Sequence, residues 1–366
     1  MKPFVSWTPK TAVERAFGAA TLVIVACGPL LFNDYWVSAL LTQAFIFGIV
    51  AASLIFLTAY GGMISLAQTA LMGISGYIVG NMVTERVPGG ETKGLTVGMD
   101  PNLAVVLAIA ITTLIGVLMG AVAARAAGIY FLMLTLTYAV IANAFFGQVV
   151  QFGGFSPIAG INQDQYMPVF VGNVLGHPDK LYYIAAGVAI FVYIVIRYVI
   201  RTPFGISLQG LRDDPVRMAS LGYNVPLHRT AAFGLAAFFA AVAGVLYVWW
   251  QGQIAPGDLG LGATINVLVM AVIGGLIRIE GAWIGALAYL VIENYARDIE
   301  IPGLSFGGTL FGGSFNTVIG VIFLVIVLAS PDGLMGLWER VARLRRRTPE
   351  GPGPAPDAVP EGGSAA

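Results

Sequence analysis

Long apolar stretches, separated by short polar connections, occupy most of the chain. A helix needs about 20 apolar residues to cross roughly 30 Å of hydrocarbon. Ten stretches approach that length: 17–33, 36–60, 62–84, 102–124, 128–151, 181–200, 230–250, 263–277, 281–297 and 314–330. Only 10% of the residues are charged, whereas soluble proteins carry about 25%. The pattern predicts an all-α polytopic integral membrane protein with about ten transmembrane helices.

The distribution of Lys and Arg predicts the orientation of these helices. With ten crossings and a cytoplasmic N-terminus, fifteen basic residues lie inside: Lys2, Lys10, Arg15, Arg125, Arg197, Arg201, Arg212, Arg217, Arg229, Arg278, Arg340, Arg343, Arg345, Arg346 and Arg347. Four lie outside: Arg86, Lys93, Lys180 and Arg297. Because cytoplasmic loops are enriched in Lys and Arg, both termini are predicted inside. If segment 62–84 entered and left the membrane on the same side, everything after it would change sides and most Lys and Arg residues would lie outside. We therefore expect 62–84 to cross the membrane. Omitting 263–277 and 281–297 together preserves the orientation, which leaves eight crossings as an alternative.

The same pattern divides the chain into three parts. We expect a cytoplasmic N-terminal segment at 1–16, a transmembrane domain at 17–338, and a cytoplasmic tail at 339–366. The tail is first basic and then rich in Pro, Gly and Ala, a composition that is typical of disorder. Within the transmembrane domain, the segment 201–229 is a long cytoplasmic loop that carries most of the loop charge.

The composition argues against several classes of function. Nineteen acidic residues balance nineteen basic ones, so no basic excess is available for binding nucleic acid. The single cysteine and two widely spaced histidines provide no metal-ligand pattern, and we predict neither a metal nor a cofactor. None of the four lysines has the glycine spacing of a phosphate-binding loop, so any ATP would be hydrolysed by another polypeptide. A membrane-embedded enzyme is not favoured, because the spans contain no paired carboxylates, histidine cluster or activated nucleophile.

Uncharged polar side chains within the spans are candidates for lining a solute path. We single out six: Ser65, Gln68, Thr69, Thr135, Asn143 and Asn266. On a continuous helix over 62–84, Ser65 and Thr69 share one face with three glycines. Small residues at this spacing also let helices pack closely. Helix packing and a path for a neutral or zwitterionic solute therefore both remain interpretations.

Several short motifs occur in an order that is more specific than any one of them. Tyr60–Tyr77 is rich in glycine and small polar residues, and the other motifs are Arg125 with Gly128–Phe131, Thr202–Gly205, Leu211–Asp214, Ala219–Gly222, Val272–Gly275 and Ser330–Gly336. Together, over about residues 55–338, they resemble the M-type inner-membrane permease subunits of bacterial branched-chain amino acid ABC transporters. Ala67 departs from the family, which usually has Gly there.

This resemblance implies a role for the loop 201–229. In the family the corresponding loop meets the ATPase, so a short coupling helix is expected to dock into a nucleotide-binding subunit. The residues expected at this contact are Arg212, Asp213, Asp214, Arg217, Met218, Leu221 and Gly222. Pro215 suits the first turn of such a helix, although it and Ala219 stand where family members often carry acidic residues. An ordinary solvated loop remains the alternative.

The resemblance also implies the fold, partners and activity. We expect the ABC importer permease fold in the bacterial inner membrane, working by alternating access as half of a translocation path. The expected partners are a second homologous permease, two ABC ATPase subunits, a periplasmic substrate-binding protein and the lipid bilayer. Segments 85–101, 153–180 and 299–313 would form the platform for that binding protein. Branched-chain amino acids are the expected substrates, while similar permeases carry other amino acids, urea or short amides. A stand-alone channel or facilitator is the alternative, but it leaves the charged loop 201–229 unexplained.

Overall fold

The computed structural model describes residues 36–84, 95, 97–168, 171–172 and 178–297, with the isolated positions 320, 324, 333 and 334. Several predicted segments lie wholly or almost wholly outside the described residues: 1–16, 17–33, 299–313, 314–330 and 339–366. Most of the predicted exterior segment 85–101 lies outside them as well.

Ten α-helices make up most of the described chain. They are α1 (Thr42–Gly61), α2 (Gln68–Val83), α3 (Pro101–Ala123), α4 (Ile129–Gln148), α5 (Pro178–Arg201), α6 (Pro203–Asp213), α7 (Pro215–Ser220), α8 (Val225–Gln251), α9 (Leu261–Gly274) and α10 (Gly281–Arg297). A π-helical turn, Trp36–Leu41, precedes α1, and 3-10 turns cover Val150–Phe152, Asp164–Tyr166 and Pro256–Leu259. Strands β1 (Ile158–Ala159) and β2 (Gln253–Ile254) form one antiparallel pair.

Five of the described helices are long and apolar enough to cross a membrane, namely α1, α3, α4, α5 and α8. The helices α2, α9 and α10 have 16, 14 and 17 residues, so they extend only about 21 to 26 Å. The prediction of a polytopic α-helical membrane protein is confirmed. The number of crossings stays a prediction.

Local sequence signals set most of the helix ends. Pro101 opens α3, where the Asp100 carboxylate accepts from the backbone N–H of Asn102, as expected of an N-cap. The side chain of Asn224 caps α8 in the same way. At the other end of α8, Gly252 adopts a left-handed conformation with φ 70°, which glycine accommodates without steric cost.

Helices α1 and α8 form the centre of the bundle. In each of them, 78% of the residues in the most apolar 18-residue stretch are buried, compared with 22–28% in α3, α4 and α5. Helix α8 packs against α1, α2 and α3 through an alanine-rich surface that includes Ala237, Ala240 and Ala241, all completely buried. Small residues allow close approach of helix backbones, so α8 is packed tightly, whereas α3, α4 and α5 expose apolar side chains on their outer faces.

Most of the described arginines collect at one end of the bundle. Arg212 donates from Nη1 to the carbonyl of Ala59 near the end of α1, and Arg197 at the end of α5 pairs with Glu280, just before α10. We call this the arginine-rich end; it carries Arg125, Arg197, Arg201, Arg212, Arg217, Arg229 and Arg278. These residues are scattered along the chain but meet because successive helices reverse direction.

The opposite end is formed by the connections on the other side of the helices. Here β1 pairs with β2, and the N–H of Ile161 donates to the carbonyl of Gly252 at 3.1 Å. The connection from α2 to α3 lies at this end as well, with Met99 N–H donating to the Met82 carbonyl at 2.8 Å. The connections therefore alternate between the two ends.

The prediction of a continuous helix over 62–84 is wrong at its beginning. Residues 62–67 are not helical, and α2 begins only at Gln68. Gly62 ends α1 in a left-handed conformation with φ 65°, and the Ser65 hydroxyl accepts from the Ala67 N–H at 3.3 Å, a local bond that competes with helix formation. Ser65 is therefore not on a helical face with Thr69. The whole segment still runs from the arginine-rich end to the opposite end.

Candidate functional site

A buried polar cluster surrounds the break between α1 and α2. The Ser53 hydroxyl of α1 lies 2.7 Å from the Val50 carbonyl and 3.1 Å from Oε1 of Gln68, and it can donate its one proton to either. Gln68 Nε2 donates to the Ser65 hydroxyl at 3.4 Å. All three side chains are almost completely buried. In this conformation they satisfy one another's hydrogen bonds at a point where the chain leaves helical geometry. A helical break at membrane depth requires such compensation, because lipid offers no hydrogen bonds.

Helix α4 contributes Thr135 to the same cluster. The Thr135 hydroxyl accepts from the backbone N–H of Leu66 at 3.1 Å and donates to the Leu132 carbonyl at 3.0 Å. One threonine thus satisfies a backbone group inside the break. Thr69 lies next to Gln68 in the first turn of α2 and is also buried.

The two predicted asparagines lie elsewhere. Asn143 on α4 donates to the Pro256 carbonyl at 2.6 Å, which fixes the connection between α8 and α9. Asn266 lies on α9 and is exposed on the surface of the chain. The structure therefore brings together Ser65, Gln68, Thr69 and Thr135, but not the two asparagines.

The predicted coupling loop is built from two short helices, α6 and α7, rather than from one. Thr202 caps α6 by accepting from the Gly205 N–H at 3.4 Å. The Asp214 carboxylate accepts from the Arg217 N–H at 2.9 Å and so caps α7, where Pro215 occupies the first helical position as expected. Asp214 therefore has a structural role in addition to any contact with a partner.

Arg212 attaches this pair of helices to the bundle. Its side chain bonds to the Ala59 carbonyl and packs over Gly62, and its Nε donates to Asp213 Oδ1 at 2.9 Å. Asp213 is 66% exposed, and Arg217 is exposed as well. Arg212 therefore holds α6 against the end of α1, in addition to any contact it makes with a partner.

Apolar side chains project from α7 and its flanks into solvent. Val216 is 75% exposed and Leu221 is 67% exposed, while Met218 is half-buried against Gly210. Gly222 has φ 90° and nothing near it, so it reverses the chain after α7 at a position that is unfavourable for other residues. Val216 and Leu221 are therefore two exposed apolar side chains, close in the chain to exposed charges, on a well-anchored support.

Comparison with known proteins identifies the family. A family model described as branched-chain amino acid transport system / permease component matches residues 36–329, most of the chain. The chain belongs to this permease family.

Individual relatives of the permease are distant. The LivM permease protein of a high-affinity branched-chain amino acid transport system in Escherichia coli (strain K12) is 24% identical over 171 residues, covering 47% of this chain and 37% of the relative. The corresponding BraD permease protein of Pseudomonas aeruginosa is 31% identical over 140 residues, which cover 38% of this chain and 42% of the relative. A probable LivH permease protein of Methanocaldococcus jannaschii is 28% identical over 146 residues, which cover 39% of this chain and 44% of the relative. The chain thus spans about two fifths of these relatives' length. No solved structure matches it significantly.

The permease has an ionic cluster that sequence reasoning missed. Arg197 Nη2 pairs with Glu280, and the Tyr193 hydroxyl donates to Glu280 at 2.9 Å while accepting from Arg197 Nε at 3.1 Å. The sequence places Arg197 among the basic residues on the inner side and indicates no partner for it. Its partner is 83 residues away, so spacing along a helix gave no signal. In the sequence, the one indication of this pair is that Glu280 is an acidic residue between the apolar segments 263–277 and 281–297.

Asp258 is a second residue that sequence reasoning missed. It lies in the 3-10 turn between α8 and α9, where its carboxylate accepts from the Tyr247 hydroxyl at 3.0 Å and the Ala255 N–H at 2.9 Å. These bonds hold the turn against α8. Within the described ranges, no group of His, Cys, Asp or Glu is arranged to hold a metal ion.

Proposed function

We propose that this permease forms half of the translocation path of an ATP-driven importer for branched-chain or related small neutral amino acids. A second homologous permease would supply the other half. Two ABC ATPase subunits would drive alternating access, and a periplasmic substrate-binding protein would deliver the substrate. The family assignment supports transport, and the architecture supports the division of roles.

The distribution of charge supports an orientation with both termini inside. Seven of the nine Lys and Arg residues in the described part lie at the arginine-rich end, whereas Lys180 and Arg297 lie at the opposite end. Cytoplasmic loops carry such an excess. The arginine-rich end is therefore the cytoplasmic end in this proposal, and with two further spans at 17–33 and 314–330 the chain would cross ten times.

The anchored α6–α7 pair is the observation that carries the proposal. Two capped helices hold the exposed Val216 and Leu221 in fixed positions beside exposed charges, and apolar residues rimmed by polar ones are typical of protein–protein contacts. Val216 and Leu221 would enter a groove of the ATPase, flanked by the charges of Asp213 and Arg217. Movement of this pair would reach the bundle through Arg212, which holds α6 to the end of α1.

The break after α1 is the element through which such movement would reach the path. Gly62 packs against Arg212, and Gln68, six residues later, belongs to the buried polar cluster. Discontinuous helices form substrate sites in many transporters. In the proposed cycle, ATP-driven displacement of α6 rearranges the cluster and opens a weakly polar path that includes Asn143 and Asn266.

Transport by the reconstituted complex tests this proposal. The complex would be placed in proteoliposomes with its binding protein, and uptake of labelled leucine would be measured with and without internal ATP. Replacing Val216 and Leu221 together with Ser should reduce ATP-dependent uptake at least tenfold and release the ATPase during purification. The matched control is Ile277→Ser, which changes an exposed apolar residue (61%) at the same end but outside α7.

Two results would contradict the coupling role. One is normal uptake by the Val216/Leu221 variant, and the other is leucine uptake by the permease alone without ATP, which would favour a facilitator. A thermal-shift panel of amino acids and short amides on the cognate binding protein would identify the substrate.

A further inference from the structure

A small pocket opens at the arginine-rich end, beside the break after α1. Its volume is about 20 Å³, and it is lined by Gly62, Met63, Ala126, Ala127, Gly128, Phe131 and Arg229. These residues come from the break after α1, the turn between α3 and α4, the first turn of α4, and the start of α8. The pocket has room for one small polar group rather than for a complete amino acid.

Arg229 provides the charge in this pocket. Its Nε is buried without a hydrogen-bond partner, and its Nη1 reaches only the carbonyl of Ala126 at 3.5 Å. Arg229 takes part in neither the Arg197–Glu280 nor the Arg212–Asp213 ion pair. A partly buried guanidinium with an unused donor is costly unless an anion approaches it. The pocket thus has an unmet requirement for an oxygen acceptor.

The surroundings of the pocket indicate what kind of anion fits. Arg125 is an exposed second cation in the same turn. At the ends of α3 and α4 that flank this turn, the apolar side chains of Val122, Ile129 and Tyr130 are 61%, 66% and 74% exposed. Aromatic residues such as Tyr are enriched where a membrane meets water. A ligand with a charged head and apolar chains would satisfy both regions at once.

We propose that Arg229 and this pocket bind the phosphate of an anionic phospholipid from the leaflet at the arginine-rich end. Basic pockets between transmembrane helices are known to hold lipid headgroups, and a guanidinium can form paired hydrogen bonds with phosphate oxygens. The acyl chains lie along Val122 and Ile129. Because the pocket joins the α3–α4 turn, α8 and the start of the break, the bound lipid stabilises this corner of the bundle. The proposal does not depend on which solute is transported.

Native mass spectrometry of the full-length chain in detergent tests the site. The chain would be incubated with dioleoyl phosphatidylglycerol, with dioleoyl phosphatidylcholine, or with inorganic phosphate, and the bound molecules counted. We expect retention of phosphatidylglycerol but not of the other two. Arg229→Gln should weaken that retention roughly tenfold, the effect of losing one charge-assisted interaction. The control Arg278→Gln removes another arginine at the same end and should retain the lipid.

A second variant guards against misfolding of Arg229→Gln. Ala127→Phe fills the mouth of the pocket and leaves the arginine in place, and it should lower retention to a similar extent. Three results would overturn the proposal: undiminished lipid binding by both variants, equal retention of phosphatidylcholine, or inorganic phosphate replacing the lipid at the same concentration. The last would identify a soluble anion as the ligand.

Discussion

The contact between α8 and α2 offers the most direct test of the packing described above. A methyl group added at Gly244 would clash with the carbonyl oxygen of Met72, and it would lie 2.9 Å from the carbonyl carbon of Met72 and 3.0 Å from Cβ of Ser75. Carbon atoms pack at about 3.5–4.0 Å, so the two carbon contacts alone require α8 and α2 to separate by roughly 0.5 to 1.1 Å. The closer carbonyl oxygen requires at least as much. A gap of that size removes about a quarter to a half of the dispersion energy along the contact.

We therefore expect Gly244→Ala to destabilise the protein by at least about 1–3 kcal/mol, the usual cost of overpacking. Backbone atoms take the clash, so rotation of a side chain cannot relieve it. The assay is thermal unfolding of the purified chain in detergent, in which the midpoint should fall by several degrees. Gly187→Ala on α5 is the control, because a methyl group there has nothing within 4 Å. If Gly244→Ala unfolded with the wild-type midpoint, or if both variants lost the same stability, the close α8–α2 contact would be refuted.

Two further predictions concern polar contacts. A double-mutant cycle on Arg197→Gln and Glu280→Gln, measured by thermal or denaturant unfolding, should give a coupling free energy of about 0.5–3 kcal/mol. The reason is that each single change leaves the other charge partly buried and unpaired. Additive effects of the two changes would show that the pair does not stabilise the bundle. Gln68→Leu should cost about 1–3 kcal/mol, because it removes the buried amide that links Ser53 to Ser65. Asn266→Leu, on an exposed face, should unfold close to the wild type, and equal losses would argue against the cluster.

The sequence was most informative about individual helices. The predicted span 102–124 became α3 at Pro101–Ala123, because a Pro and an Asp cap mark its beginning. Pro215 was correctly expected in the first turn of a short helix. Such features depend on residues close together in the chain, so they can be recognised before the fold is known. The break at 62–67 was missed because apolar content alone does not show where a transmembrane segment stops being helical.

Apolar length and sparse charge are local properties of the chain, and they suffice to predict a helical membrane protein. The ordered motifs are local as well, and they carry the resemblance to the permease family. Tertiary structure alone decided that Gln68 bonds to Ser53, that Arg197 pairs with Glu280, and that Arg229 is left with an unused donor. Each of these depends on helices brought together from distant parts of the chain. In lipid, a polar group must find its partner within the protein, and only the packing of the bundle determines which partner is within reach.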